Sequence, residues 1–290
     1  MLELMDKPQG FMGSTESYED ADTVIAGIPM DFTVSFRPGT RHGAEAVRSV
    51  SIGIEEYSLE LDRDLADYAY YDAGDISLPF GQVEKSLERI GQVAEKLLVA
   101  GKFPIFIGGE HLVSLPIIEK VAKKYPGLKV IHFDAHADLR EHYLGEPISH
   151  ATVMRRVCDI VGPENVYQFG IRSGTREEFQ YARENTNTFV KEVLAPLTRL
   201  LRNLEGSPIY VTLDIDVVDP AFAPGTGTAE ADGCTSGEIL AAVRMLGHLQ
   251  VVGFDLVEIS PIYDQSQRTA LLGAKIVREA ILAFTQPARK

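Results

Sequence analysis

Three short apolar runs, rich in β-branched residues, end in side chains of the kind that bind metals. In Val130-Ile131-His132-Phe133-Asp134-Ala135-His136-Ala137-Asp138 a buried-strand pattern passes into alternating Asp134, His136 and Asp138. Side chains alternate along an extended chain, so these three share a face. Two carboxylates and an imidazole crowded together shift one another's pKa strongly, and a divalent cation would neutralise them. The metal reading is the economical one, and an exposed strand end with solvated acids is the alternative for this segment alone. Pro208-Ile209-Tyr210-Val211-Thr212-Leu213-Asp214-Ile215-Asp216 repeats the pattern, although a lone Asp-x-Asp also caps helices and shapes turns. In Phe103-Pro104-Ile105-Phe106-Ile107-Gly108-Gly109-Glu110-His111 a diglycine turn leaves His111 at the start of a helical pattern, where a single histidine is often a surface or capping residue. Together, three strands deliver ligand-type residues at their C-terminal ends, the ends at which parallel α/β sheets bind ligands.

The remaining chain fits such a sheet. Strand-like runs fall at 23–28, 68–71, 103–107, 129–133, 166–169, 188–190, 209–213 and 251–257. Helical patterns at 82–100, 115–124, 150–161, 175–185, 236–246 and 268–284 lie between most of them. This alternation predicts βαβ units and a three-layer α/β/α sandwich around a mostly parallel sheet of about eight strands. A (β/α)8 barrel fits the same strand count. With 290 residues, 45% hydrophobic, the chain can bury a large core. No linker or internal repeat divides it, which predicts a single domain over 1–290.

Net charge is −14, from 42 acidic against 28 basic residues, which disfavours a nucleic-acid partner and would draw in small cations; acidity for solubility alone is the plainer reading. No stretch reaches the roughly 20 apolar residues that cross a bilayer. Met1-Leu2-Glu3-Leu4-Met5-Asp6 lacks the basic and apolar regions of a signal peptide. Cys158 and Cys234 form no CxxC pattern. Together these features set a cytoplasmic expectation.

Two loops rich in turn formers follow strands. The first, 30–43, suits a path into a helix at 44–50 as well as a substrate or subunit contact. The second, 219–227, carries prolines and glycines that fix an irregular path close to Asp214 and Asp216.

These motifs together resemble the ureohydrolase family, the arginase and agmatinase group. The likeness is greatest to bacterial agmatinases, over nearly the whole chain. It rests on Gly108-Gly109-Glu110-His111, on Asp134-Ala135-His136-Ala137-Asp138, on Asp214-Ile215-Asp216-Val217-Val218-Asp219-Pro220 with Ala223-Pro224-Gly225-Thr226-Gly227, and on the loop from Ser35 to Gly43. The resemblance implies an arginase-type fold, a trimer or hexamer, and two Mn²⁺ per chain. One Mn²⁺ would be held by His111, Asp134, Asp138 and Asp214, the other by His136, Asp134, Asp214 and Asp216, with Asp134 and Asp214 bridging. A hard set of four carboxylates and two imidazoles suits Mn²⁺, and it balances two dications. Two metals about 4 Å apart generate a nucleophile from water at neutral pH.

By the same resemblance Asp138 relays a proton to the leaving amine, Glu258 pairs with a guanidinium, and His150 shuttles protons or positions substrate. A carboxylate accepts two parallel hydrogen bonds from that planar cation. Without the family likeness, Glu258 reads equally well as an edge or cap residue, and His150 as a helix-capping neighbour of Ser149. His132 reads as a core histidine, and His42, His142 and His248 carry no assigned role. Arginases resemble one another in placing an asparagine after the Asp-Ala-His-x-Asp motif and a Ser-Gly-Asn turn further on, which hold the amino-acid end of the substrate. Here 139–149 reads Leu-Arg-Glu-His-Tyr-Leu-Gly-Glu-Pro-Ile-Ser. The missing anchors favour a small cationic substrate such as agmatine, cleaved to putrescine and urea, over 4-guanidinobutyrate or arginine. Glu141 and Glu146 read either as partners of its ammonium or as solvated loop acids. A single-zinc amine deacetylase and a non-catalytic metal-binding protein are the competing classes, and no Arg/Lys cluster supports phosphoester chemistry.

Overall fold

The computed structural model describes residues 10–288 and the backbone of Met5–Asp6; the remainder of the acidic stretch read against a signal peptide lies outside the described residues. The strands are β1 (Met5–Asp6), β2 (Thr23–Gly27), β3 (Tyr57–Ser58), β4 (Arg63–Asp64), β5 (Tyr70–Ile76), β6 (Phe103–Ile107), β7 (Lys129–Phe133), β8 (Val166–Ile171), β9 (Asn187–Val190), β10 (Pro208–Asp214) and β11 (Gln250–Val257). The helices are α1 (Gly43–Ser51), α2 (Val83–Val99), α3 (Ser114–Lys124), α4 (Val153–Val161), α5 (Arg176–Asn185), α6 (Leu194–Leu204), α7 (Ser236–Leu246) and α8 (Arg268–Phe284).

Nine strands form one open sheet in the order β1-β5-β2-β6-β11-β10-β7-β8-β9. Only β1, at the edge, is antiparallel among them; the eight others run parallel. An open sheet with two edges excludes the barrel. Because both faces are covered, alternate residues of one strand enter different cores. Ile131 and Phe133 of β7, with Val211 and Leu213 of β10, pack with α1, α6, α7 and α8. Val130 and Tyr210 point the other way, into the apolar layer beneath α2, α3 and α4. No helix among the described residues is long and apolar enough to cross a membrane. Both cysteines are free and buried.

Local chemistry sets the element ends. Thr175 and Thr235 open α5 and α7 with capping boxes closed by Glu178 and Glu238. The sequence reading found all eight parallel strands, with β8 and β10 lengthened here by two residues and β5 displaced from 68–71 to Tyr70–Ile76, but it did not single out α6. That helix carries Pro196 in its first turn, where a missing N–H costs no helical bond. The short β3–β4 hairpin was also unforeseen.

The turn after β6 is held by a close backbone approach. Glu110 N–H donates to Met30 O at 2.8 Å. A Cβ on Gly109 would lie 1.8 Å from that same oxygen, and backbone on both sides leaves no rotamer to yield. Gly109→Ala is therefore expected to destabilise the fold by roughly 3 kcal/mol, the upper part of the usual overpacking range. Denaturant midpoints of the two proteins check this; an unchanged midpoint contradicts the close approach.

Candidate metal centre

Four neighbouring parallel strands, β6, β11, β10 and β7, end at one place. From β6 the diglycine turn leads to His111, which opens a single 3-10 turn, His111–Val113. β11 is followed at once by Glu258, β10 ends in Asp214, and Asp134 follows β7. The sequence reading expected Asp134, His136 and Asp138 to alternate on a strand. Instead β7 stops at Phe133, and 134–138 is an irregular segment in which Asp138 has φ 52°. Its backbone is tied down by neighbours: Ala135 N–H donates to Asp216 Oδ1 at 3.0 Å, and Ala137 N–H to Ser173 O at 3.0 Å. Asp216 likewise lies in a 3-10 turn, Ile215–Val217, rather than on a strand. Its N–H donates to Asp214 Oδ1 at 2.8 Å, so the first carboxylate caps the turn that presents the second.

The side chains converge in two overlapping groups. His111 Nδ1 lies 3.0 Å from Asp134 Oδ2, 3.4 Å from Asp138 Oδ2 and 3.4 Å from Asp214 Oδ2. His136 Nδ1 lies 2.9 Å from Asp216 Oδ2 and 3.5 Å from Asp134 Oδ1. The two oxygens of Asp134 thus face different histidines, as a carboxylate shared by two cations would. Asp214 is placed on the His111 side. His132 joins the first group, with Nε2 2.8 Å from Asp134 Oδ2. It is a core histidine, as read from the sequence, but one whose ring reaches a candidate ligand.

These donors fit a metal. His111 Nε2 lies 3.0 Å from Thr212 Oγ1, and the Thr212 hydroxyl donates to Asp255 Oδ1 at 2.6 Å. The threonine oxygen is then left to accept from Nε2–H, which leaves Nδ1 as a bare lone pair aimed at carboxylates. His111 Nδ1 and Asp216 Oδ2 are both buried without a hydrogen-bond partner. Opposed acceptors in a dry site require a cation between them, either a proton or a metal.

Without metal, protons take that role. Burial opposes charge on His111, but Asp134, Asp138 and Asp214 raise it well above the ordinary imidazole value. Burial likewise opposes charge on His136, and Asp216 and Asp134 raise it. Burial, then Asp216 and Asp134, hold Asp214 well above the usual carboxylate range. Burial and Asp134 also raise Asp216. Asp134 is lowered, its burial outweighed by the surrounding histidines.

Beside the cluster, a cavity of about 260 Å³ is lined by Ser35, Tyr143, His150, Glu178 and Glu258 as well as by His111 and Asp138. Glu258, at φ 64°, donates its N–H to Gly109 O at 2.9 Å and accepts His111 N–H on Oε1 at 2.8 Å. Burial pushes its carboxyl up to about 8, against the His111 hydrogen bond and with help from Glu110. His150 N–H donates to Thr33 Oγ1 at 3.0 Å, and burial lowers the imidazole despite Asp138. Glu141 and Glu146 are exposed and do not line the cavity, which leaves them as solvated loop acids.

Sequence reasoning passed over three residues here. Glu110 is fully buried and accepts from Phe32 N–H at 2.7 Å, from Thr33 N–H and from the Thr33 hydroxyl, so it fastens loop 30–43 under His150. Tyr143 donates to Ser35 Oγ at 2.9 Å and joins the loops 30–43 and 139–149 across the cavity mouth. Arg140 lies 4.9 Å over the Tyr143 ring, with Nε 3.4 Å from Glu178 Oε2, so its charge is matched within the wall. An acid beside a diglycine turn was the available signal for Glu110. Arg140 and Tyr143 gave none, because Glu178 and Ser35, which anchor them, are distant in sequence.

Comparison with known proteins agrees with this geometry. The arginase family matches residues 21–283. An agmatinase of Bacillus anthracis is 55% identical over 95% of this chain and 96% of its own, and one of Bacillus subtilis (strain 168) is 54% identical over the same shares. Among solved structures, a putative agmatinase from Clostridium difficile superposes with a TM-score of 0.90 at 41% identity, covering 92% of this chain and 98% of its own. The open parallel sheet, the Asp/His cluster at its strand ends and these likenesses lead to one conclusion: the chain belongs to the arginase family.

Proposed function

We propose that this chain hydrolyses agmatine to putrescine and urea, using two Mn²⁺ held by His111, Asp134, His136, Asp138, Asp214 and Asp216. The observation that carries the reading is the cluster of four buried aspartates with His111 and His136, of which His111, His136, Asp138 and Asp214 line one cavity together with Glu258. Relatives at more than half identity over nearly the full length bear the name agmatinase, which supports the choice of substrate.

When bound, two dications would lower the pKa of a water at the cluster and supply a nucleophile at neutral pH. The chain supplies the remainder. Glu258 receives the guanidinium in a fork of two charge-assisted hydrogen bonds and fixes its carbon over the cluster. Its position depends on the bonds to Gly109 and His111 that tie it to the β6 turn. Water oxygen adds to the guanidinium carbon, the bond from that carbon to the alkyl nitrogen breaks, Asp138 carries one water proton to the departing amine, and the second leaves the oxygen as the urea carbonyl forms and completes the ammonium of putrescine. His150, kept neutral by burial, positions substrate and exchanges protons at the cavity wall. Leu139 is buried in the core, so it offers no polar contact for an amino-acid head group. Arg140, the arginine in the cavity wall, has its charge countered by Glu178 and stacked on Tyr143, which weakens its pull on a substrate carboxylate.

Urea release by Mn²⁺-loaded protein, with agmatine, arginine and 4-guanidinobutyrate in parallel, tests this reading. Selective turnover of agmatine is expected. Preference for arginine would overturn the substrate assignment, and no urea from any of the three would overturn the reaction. Glu258→Gln keeps the shape but loses the charge, and should lower kcat/KM for agmatine roughly 100-fold, the worth of a strong hydrogen bond to a charged group. Mn²⁺ affinity should also rise with pH. His111, His136, Asp214 and Asp216 all have raised metal-free values, so protons compete with the metal for these groups. Titration calorimetry in buffers of different ionisation enthalpy reads the released protons, and their absence would contradict the ligand set.

A further inference from the structure

A row of buried polar residues crosses five neighbouring strands at one register level, on the sheet face covered by α2, α3 and α4. Asp255 of β11 is paired with Thr212 of β10, Thr212 with His132 of β7, His132 with Gln168 of β8, and Gln168 with Thr188 of β9. Asp255, Thr212, His132 and Gln168 are fully buried. A parallel sheet covered on both faces ordinarily fills such positions with aliphatic residues, and each polar group placed there must be satisfied. The row lies two residues before Asp134 on β7 and two before Asp214 on β10, so it forms the floor under the cluster.

Hydrogen bonds give the His132 half of this row a fixed direction. Thr188 Oγ1 donates to Gln168 Oε1 at 2.9 Å, and Thr186 Oγ1 lies 3.4 Å from the same oxygen. The Gln168 amide is thereby oriented with its NH2 group toward β7. Nε2 lies 3.0 Å from His132 Nδ1 and donates to Ala137 O at 2.8 Å. A ring nitrogen that accepts carries no proton, so the proton of a neutral His132 sits on Nε2 and is donated to Asp134 Oδ2 at 2.8 Å. That oxygen is the one facing His111 Nδ1 at 3.0 Å. Gln168 thus acts twice: it sets the His132 tautomer, and it holds the carbonyl of Ala137 between His136 and Asp138.

We infer that His132 and Gln168 are positioning residues for the metal centre, fixing the rotamer of Asp134 so that its two oxygens face His111 and His136. The inference rests on the proposed two-metal reading but assigns neither residue as a ligand. Such outer partners orient ligating groups, and their loss typically costs about 10–100-fold in metal affinity.

The test compares the full-length parent with His132→Gln, His132→Asn and Gln168→Leu. Glutamine places an amide N–H near the former Nε2 and keeps the donor to Asp134; asparagine, of similar polarity, is too short. Mn²⁺ stoichiometry and dissociation constants are read by calorimetry. The exchange-coupled electron paramagnetic resonance signal of adjacent Mn²⁺ ions is read on the same samples, and the melting temperature of each metal-free protein controls for folding. The parent and His132→Gln should take up two Mn²⁺ and show the coupled signal. His132→Asn and Gln168→Leu should bind at least one Mn²⁺ roughly 10–100-fold more weakly and lose the coupled signal, with little change in metal-free melting. If His132→Asn does not fold, Gln168→Leu is judged by the same measures. Parent-like affinity and coupling in His132→Asn and Gln168→Leu, or equal losses in His132→Gln and His132→Asn, would overturn the inference. A parent that binds fewer than two Mn²⁺ would instead overturn the two-metal reading beneath it.

Discussion

Concentrated negative charge at the C-terminal edge of the sheet is the constraint on which the site depends. Asp134, Asp138, Asp214, Asp216 and Glu258 are all buried, with His111 and the partly buried His136 among them. Carboxylates held this way cannot all stay ionised without cations, and the opposed shifts of Asp134 and Asp214 express that conflict in the metal-free chain. Two dications would resolve it. The arrangement is costly for folding alone, and it becomes intelligible as preparation for binding.

The scaffold serves that concentration in layers. Parallel strands bring four C-terminal ends side by side, and the turns that follow supply candidate ligands and Glu258 from irregular backbone, where Asp138 and Glu258 adopt positive φ. Backbone amides then lock the carboxylates: Asp216 accepts from Ala135, Asp214 from Asp216, and Glu258 from His111. Glu110 performs the same task for loop 30–43 and links that loop to His150 through Thr33. Much of the polar chemistry around the cavity therefore holds other groups still, which is what a preorganised site requires.

The sheet and its parallel strands were legible in the sequence because their signal is local. Apolar runs, helical spacing and capping residues each act within one element, and all eight parallel strands follow from them. The clustering of His111, Asp134, His136, Asp138, Asp214 and Asp216 was legible for a different reason: parallel strands place their ends together. The way 134–138 is held was not legible, since strand alternation suggested one ordered face, whereas the chain leaves the strand at Phe133 and relies on Asp216 and Ser173 for support. His132 shows the limit most clearly. The sequence read it as a core histidine, but its partner Gln168 lies on β8, and only strand register brings the two together. Arg140 and Tyr143 were hidden in a similar way, as loop residues whose anchors, Glu178 on α5 and Ser35 in loop 30–43, lie far off in sequence.

The most direct measurement is anomalous diffraction at the manganese edge from crystals of the Mn²⁺-loaded protein. Two peaks are expected, one against His111 with Asp138 and Asp214, the other against His136 with Asp216, and Asp134 reaching both. A single peak, or manganese bound away from these strand ends, would contradict the two-metal centre on which the proposed chemistry stands.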